Sequence, residues 1–132
     1  MARGLLLAWV LLAAGCSLTP IPDVTSNWSE PCDVKARLCA HEFTLAATNE
    51  ASVELRGSFK ADGWTNGVAM QRSGANWTAT VDVPWSTPVQ YKFYVDGSRW
   101  LLDPANPKTI VDTSNNTNSL MDGITCVKWT CQ

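Results

Sequence analysis

The chain has 132 residues, which is the length of a single domain, and its formal net charge is −2 at pH 7. This mild acidity, without a basic stripe, argues against a nucleic acid as the partner and favours a neutral ligand. Seven tryptophans stand out in the composition.

The N-terminus has the features of an export signal. Arg3 is followed by an apolar run, Leu5 to Ala14, which is too short to span a bilayer. The run ends in the letters LAAGC, which resemble the bacterial lipobox, with the leucine one place earlier than usual. We therefore predict a signal peptide over residues 1–15 and lipid modification of Cys16, which would anchor the protein in the bacterial envelope, at the outer membrane. An ordinary signal peptide cut elsewhere, leaving a secreted protein, is the alternative.

The segment after Cys16 is typical of a linker. It contains three prolines and little apolar pattern before Cys32. We predict an extended tether over residues 16–31 and one folded domain over residues 32–132. Without Arg3, nine basic and twelve acidic residues remain, so the exported chain keeps its mild negative charge.

Four cysteines remain once the lipid site is set aside, in two close pairs at opposite ends of the domain. An even set in an exported protein predicts two disulfides, and the spacings fit a zinc site poorly. The sequence leaves all three connectivities open, and we predict no metal and no cofactor. The four residues are Cys32, Cys39, Cys126 and Cys131.

The domain alternates short strand-like segments with turns. Apolar residues at every second position from Val89 to Val95 are typical of a half-buried strand, and Asp96-Gly97 predicts a tight hairpin after it. No helical periodicity of useful length is present. The pattern predicts an all-β, immunoglobulin-like antiparallel sandwich of seven or eight strands. The predicted strands cover residues 41–47, 52–59, 68–72, 77–83, 89–95, 99–103 and 118–121, with a further candidate at 124–129.

The tryptophans divide by their surroundings. Trp77 opens an alternating strand and is predicted to lie in the core, and Trp129 is predicted to pack on the C-terminal disulfide. Trp85 either caps the sandwich edge or extends a binding surface. Trp64 and Trp100 each follow a glycine-containing turn, so they either form a binding surface or fold inward as lids.

A sugar is a ligand that suits exposed indoles. The faces of glucopyranose are apolar and stack on aromatic rings, whereas its edges carry hydroxyls that need polar partners. Lys92, on the polar face of its strand, and Asn118, near the last predicted strand, could supply those partners. The simpler interpretation makes Lys92 a solvated surface residue and Asn118 a turn residue.

The order of four short motifs resembles the glycogen-binding module of the AMP-activated kinase β-subunit, in carbohydrate-binding module family 48. The resemblance covers about residues 52–121 and implies an early-set immunoglobulin-like fold. It also implies that Trp64 and Trp100 form a platform for α-1,4-linked glucose, with Lys92 and Asn118 bonding the sugar hydroxyls. The motifs are Gly57-Ser58-Phe59 with Trp64, Tyr91 to Gly97, Trp100 with Asp103-Pro104, and Asn118-Ser119-Leu120.

Two insertions depart from the family pattern. Four residues separate Phe59 from Trp64, where the family has two, and two separate Gly97 from Trp100, where the family has one. A one-residue slip in a strand reverses the face that a side chain meets, although a bulge can absorb it. Whether the two indoles share a face is therefore a question for the structure.

The chain lacks the residues that common enzymes need. His41 is the single histidine, no Gly-x-Ser-x-Gly motif is present, and no pair of carboxylates suggests a glycosidase. We predict a non-catalytic module that binds an α-glucan polysaccharide or oligosaccharide at the envelope. The alternative is a sandwich that has lost sugar binding and docks a protein partner there. Exposed, coplanar indoles at Trp64 and Trp100 would favour the sugar.

Overall fold

The computed structural model describes residues 32–132. The predicted signal peptide, the lipidation site Cys16 and the tether lie outside the described residues. Within the described part of the chain, no helix is long and apolar enough to cross a membrane.

Within residues 32–132, ten strands follow a single 3-10 turn at Val34–Ala36. Most are short, and only three have seven residues or more. In chain order they are β1 Arg37–Ala46, β2 Val53–Gly57, β3 Val68–Ala69, β4 Gln71–Ser73, β5 Asn76–Pro84, β6 Val89–Val95, β7 Arg99–Leu101, β8 Thr109–Val111, β9 Thr117–Met121 and β10 Thr130–Cys131.

The strands form two antiparallel sheets. One has the order β10-β1-β5-β4, and the other has the order β3-β2-β6-β9-β8, with β7 pairing along the second half of β6. The two sheets enclose the core, as in an immunoglobulin-like sandwich, which confirms the predicted fold class. Strand β6 is central because it pairs with β2 on one side and with both β9 and β7 on the other.

Alternation along the two long inner strands builds the core. On β6 the odd-numbered residues are buried and the even-numbered ones face outward, as predicted. On β5 the same rule buries Trp77, which confirms it as a core residue. Apolar burial of this kind is the main contribution to the stability of a small sandwich. The inward side chains of these two strands are Trp77, Ala79, Val81, Val83, Val89, Tyr91, Phe93 and Val95.

The short strands differ from the sequence prediction. Strand β1 begins at Arg37, four residues early, and the segment predicted as residues 68–72 divides into β3 and β4, which belong to different sheets. Strand β8 was not predicted, and residues 124–129 contain no strand, whereas Thr130–Cys131 does. Strands of two or three residues form because they pair with longer strands that are distant in the sequence. Alternation along the chain is too short in them to predict their position.

The two predicted disulfides are present and join the N-terminal cysteine pair to the C-terminal pair. Cys32 bonds Cys131, and Cys39 bonds Cys126. The bonds close sequence separations of 99 and 87 residues. They fasten the last segment of the chain to β1, whose residue Arg37 lies opposite Cys131.

Two tryptophans cap one end of the sandwich. The Trp85 ring is partly buried against the core, and the Trp129 ring meets it edge-on with 5.5 Å between the centroids. The guanidinium carbon of Arg37 lies 4.5 Å from the Trp129 centroid. Trp85 therefore acts as the predicted cap, and Trp129 packs on Trp85 and Arg37.

Candidate functional site

The outer face of the six-stranded sheet carries the polar side chains of β6. Gln90, Lys92 and Tyr94 alternate with the buried residues, and Lys92 lies opposite Arg56 of β2. Lys92 is the residue predicted to bond sugar hydroxyls. It forms no salt bridge within residues 32–132, so its ammonium group is available to a ligand.

A hairpin brings Trp100 to the same face. Asp96 and Gly97 both have positive φ, 51° and 64°, and the amide of Ser98 donates to the carbonyl of Val95 at 3.1 Å. This is the tight turn that the Asp-Gly pair predicts, because glycine tolerates positive φ. The Asp96 carboxylate also accepts hydrogen bonds from the amides of residues 51 and 52, at 2.8 and 2.9 Å.

The residue inserted after Gly97 lengthens the turn and not the strand, because Ser98 lies in the turn and pairing with β6 begins at Arg99. Val95 lies opposite Arg99, and Tyr94 therefore lies opposite Trp100. Cross-strand neighbours share a face, so the Trp100 ring stands beside Tyr94, with 4.8 Å between the centroids. The insertion does not turn Trp100 away from the sugar-binding face proposed from the sequence.

The other insertion, between Phe59 and Trp64, forms a compact turn before Trp64. The amide of Gly57 donates to the carbonyl of Gly63 at 3.2 Å, and a side chain at Gly63 would place its Cβ 2.1 Å from the carbonyl oxygen of Gly57. Only glycine permits this approach. The Arg56 guanidinium also donates to the carbonyl of Trp64 at 3.4 Å.

The two indoles meet at the surface. Their centroids are 6.4 Å apart and their planes are inclined by 54°. Trp100 is 46% exposed and Trp64 is partly buried. The rings are therefore adjacent and on one face, but they are not coplanar and Trp64 is not fully exposed, so the arrangement expected to favour a sugar is met only in part.

Asn118 is held rigidly in β9 next to the indoles. It is only 2% exposed, and its Nδ2 donates to Oε1 of Gln90 at 3.0 Å and to Oδ2 of Asp112 at 3.3 Å. Both amide hydrogens are engaged, so the carbonyl Oδ1 is the group that Asn118 can offer to a ligand hydroxyl.

Asp112 organises the turn between β8 and β9. Its Oδ1 accepts from the amides of Ser114 at 2.9 Å and Asn116 at 2.8 Å, and Asn115 adopts positive φ. Hydrogen bonds to the ionised form, the Asn116 amide first, hold the pKa of the Asp112 carboxyl below its ordinary value, although desolvation opposes them. The carboxylate thereby fixes both the turn and the Asn118 amide.

These residues line one cleft of about 340 Å³, within the range of small-ligand sites. All four sequence-predicted residues are brought together there, although their role as sugar ligands stays a prediction. Asp112 and Asn116 also line it and were not predicted. Aspartate, serine and asparagine at positions 112–116 are residue types that favour turns, so the sequence indicates a turn there. It does not indicate that the turn faces a cleft, which is why these two residues were missed. The lining residues are Trp64, Lys92, Trp100, Asp112, Asn116 and Asn118.

Stacked cations support the Trp100 ring from the protein side. The Arg56 guanidinium lies 4.1 Å from the Tyr94 centroid and 5.5 Å from the Trp100 centroid, and Arg56 is paired with Glu54 at 2.8 Å. The Lys92 ammonium lies 6.0 Å from the Trp100 centroid. These contacts stabilise the ring orientation while leaving part of its surface open.

The Asp103-Pro104 motif has a structural role beneath the site. Tyr91 donates to Oδ2 of Asp103 at 2.6 Å, and the Asp103 amide donates to the hydroxyl of Ser119 at 2.8 Å. Burial, together with the hydrogen bond to Asp103, raises the pKa of the Tyr91 hydroxyl, which therefore remains a donor at neutral pH. The network ties the segment after β7 to β6 and β9.

The cleft offers binding groups rather than reactive ones. It contains one carboxylate, that of Asp112, whereas glycoside hydrolysis needs two carboxyl groups across the sugar. His41 lies on the other sheet, where its ring meets Phe43 edge-on at 4.8 Å. Among residues 32–132, no group of three or more metal-ligating side chains is present. One cation, one carboxylate, two amides and two indoles suit a neutral ligand with many hydroxyls.

Known proteins resemble this chain in family and in fold. No curated protein matches the sequence significantly. The solved structure of the enterobactin esterase FES from Shigella flexneri is similar, with a TM-score of 0.50, 13% identity and 66% coverage of this chain. The chain spans about 30% of that structure's length, and the likeness concerns the fold alone. Residues 42–124 match the family described as the glycogen recognition site of AMP-activated protein kinase. The chain therefore belongs to this family of glycogen-recognition, carbohydrate-binding modules.

Proposed function

We propose that this protein is a non-catalytic module that binds α-glucans such as glycogen, starch or maltodextrins. The observation that carries the proposal is the meeting of Trp64, from a turn, and Trp100, from β7, in one cleft with Lys92 and Asn118. The two indoles supply apolar stacking surfaces for sugar faces. The lysine ammonium donates to hydroxyls and the asparagine carbonyl accepts from them.

The inclination of the rings supports an α-linked ligand. Successive glucose units of an α-1,4 chain turn relative to one another, and two platforms inclined by 54° match a curved chain better than a flat one. A flat β-1,4-linked chain would be matched better by coplanar rings. We therefore expect discrimination between α- and β-glucans at this site.

The affinity of a single cleft is expected to be weak. The site is open and shallow, so the area buried by an oligosaccharide is small, and we expect a Kd on the order of micromolar to millimolar. Several copies on one membrane would bind a branched polymer more tightly through avidity.

We also propose that the module is anchored in the bacterial envelope by a lipid on Cys16, at the outer membrane. Two disulfides within the domain fit an oxidising, exported location. Cys16→Ser should move the protein from the membrane fraction to the soluble fraction, and intact-mass measurement should show the loss of the acyl chains. A wild-type chain without acyl chains would favour the secreted alternative.

Affinity electrophoresis tests the sugar proposal directly. Glycogen in a native gel should retard the wild-type protein, whereas a β-1,4-glucan should not. Trp64→Ala combined with Trp100→Ala should remove the retardation, and Trp129→Ala, a matched change outside the cleft, should not. A wild-type protein that glycogen does not retard would refute α-glucan binding, and equal retardation in both gels would refute the discrimination between α- and β-glucans.

The second candidate is a sandwich that docks a protein partner at the envelope. The observation in its favour is that Trp64 is partly buried, so the platform is less open than two fully exposed rings would be. An unretarded wild-type protein, together with envelope proteins whose cross-linking depends on Trp100, would favour this candidate.

A further inference from the structure

Exposed apolar side chains concentrate at the end of the sandwich where the described chain begins. Val34, Val127 and Trp129 are three of the five large hydrophobic residues that are exposed within residues 32–132. Val127 is 94% exposed and Trp129 is 40% exposed. The other two, Trp100 and Val111, lie on the six-stranded sheet. The first three have no role in the sugar cleft.

Covalent and hydrogen bonds hold these residues at one end. The Cys32–Cys131 disulfide joins the segment of Val34 to the segment of Trp129. The amide of Gln132 donates to the carbonyl of Ala36 at 2.9 Å. We call this surface the basal patch, and it comprises Val34, Lys35, Arg37, Val127, Lys128 and Trp129.

The charge of the basal patch is positive. Lys35, Arg37 and Lys128 form no salt bridge with any described residue. The Arg37 guanidinium stacks on Trp129, and its buried Nε has no hydrogen-bond partner in residues 32–132. One acidic residue, Asp33, lies in the same segment and accepts from the Lys35 amide at 3.2 Å. Asp122, farther along, is paired with Lys108.

We propose that the basal patch docks on the headgroup region of an anionic lipid bilayer. Exposed valines, a tryptophan with an apolar body and a polar edge, and unpaired cations on long stems are the residue types that bind the bilayer interface. Anionic headgroups would complement the three cations. The inference rests on the proposed lipid anchor, which would bring the membrane close to the domain. The described chain begins at Cys32, at the same end of the sandwich as the basal patch.

Docking through the basal patch would leave the sugar cleft accessible to a polymer. The patch lies at the end where β5 passes to β6, beside Trp85, whereas Trp100 pairs with Tyr94 near the far end of β6. The five residue steps from Val89 to Tyr94 along β6 correspond to roughly 17 Å. The Trp100 ring would therefore face away from the bilayer, toward a polymer outside it.

Fluorescence quenching by lipid tests the contact between Trp129 and the bilayer. The protein used is the form that a bacterial host has processed and acylated. The protein is reconstituted through its own anchor in vesicles of brominated phosphatidylcholine with phosphatidylglycerol. Trp129→Phe should remove a lipid-quenched component of the fluorescence, and Trp100→Phe, a matched exposed tryptophan, should leave that component intact. All other tryptophans are common to both variants. Equal losses in the two variants, or no quenched component at Trp129, would overturn the proposal.

Charge substitutions test the lipid chemistry. Lys35→Ala with Lys128→Ala should lower the ratio of docked to undocked protein about 30-fold, because each cation near an anionic leaflet contributes about fivefold. The control, Lys60→Ala with Lys108→Ala, removes two cations that are already in salt bridges. An equal effect of both pairs, or docking on phosphatidylcholine alone, would contradict an anionic partner. Acylation by mass and glycogen retardation are separate measurements, so failure here is distinguishable from failure of the anchor or the sugar site.

Discussion

Replacing Trp100 with alanine isolates the contribution of one stacking ring to sugar binding. A tryptophan presents about 250 Å² of surface, and 46% exposure leaves about 115 Å² open. A glucose unit on one face would cover about half of that area, or about 60 Å². At about 25 cal/mol per Å² of apolar area, the ring contributes about 1.5 kcal/mol to binding, which corresponds to roughly tenfold in Kd.

The same substitution should cost little stability. Trp100 lies at the surface against Tyr94 and Arg56, so we expect a loss of less than about 2 kcal/mol. Trp77, which is buried in the core, provides the contrast, because removing a core tryptophan typically costs about 3–5 kcal/mol.

The assay measures retardation in gels of graded glycogen concentration, together with thermal unfolding. Trp100→Ala should require about ten times more glycogen for equal retardation and should unfold near the wild-type temperature. Trp129→Ala, which changes an equally exposed ring outside the cleft, should bind normally. Unchanged glycogen affinity in Trp100→Ala, with the protein folded, would refute the stacking argument.

Three further changes test how the cleft is held. Gly63→Ala should displace the Trp64 loop and weaken both folding and glycogen retardation, because the new Cβ would lie 2.1 Å from the Gly57 carbonyl oxygen. Cys39→Ala with Cys126→Ala should lower the unfolding free energy by about 4–5 kcal/mol in denaturant titration, since the bond closes a separation of 87 residues. Sugar binding should be constant from neutral pH down to the ordinary pKa of an aspartate and fall only below that pH, because hydrogen bonds to the ionised carboxylate lower the pKa of Asp112.

Each of these has its own control. Gly74→Ala adds a Cβ that would meet nothing within 4 Å at a positive φ of 58°, so it measures backbone strain alone, whereas Gly63→Ala tests the steric contact. Reduction of the wild-type protein breaks both disulfides, so it should lower the unfolding free energy by more than the variant does. Asp112→Asn should remove the acid-dependent loss of binding measured by titration calorimetry. Binding by wild type that falls between pH 7 and pH 5 would implicate another group.

Parts of the site were predictable because local chemistry determines them. The Asp96-Gly97 pair predicts its hairpin, since few other residues adopt positive φ at low cost. Alternation along β6 places Lys92 on the outer face. The burial of Trp77 follows from the same period-two rule.

Other parts depend on partners that are distant in the chain. The face reached by Trp100 depends on whether Ser98 absorbs the inserted residue, which is a matter of register with β6. Asn118 is predicted as a ligand by resemblance, but its orientation results from Gln90 and Asp112. The inclination of the two indoles depends on how the Trp64 turn and β7 are each placed beside β6, so spacing along the sequence carries no signal for it.

The amino-acid sequence by itself determined the class of this protein: a small two-sheet sandwich with aromatic residues after its turns and two disulfides. Those features depend on side-chain alternation, turn chemistry and cysteine number, all of which are local. Only the tertiary structure decided the disulfide pairing, the cleft beside the indoles and the tilt between Trp64 and Trp100. These features depend on which distant segments pack together. That choice is made by contacts between side chains on different strands and not by the intrinsic β-propensity of the residues within one strand.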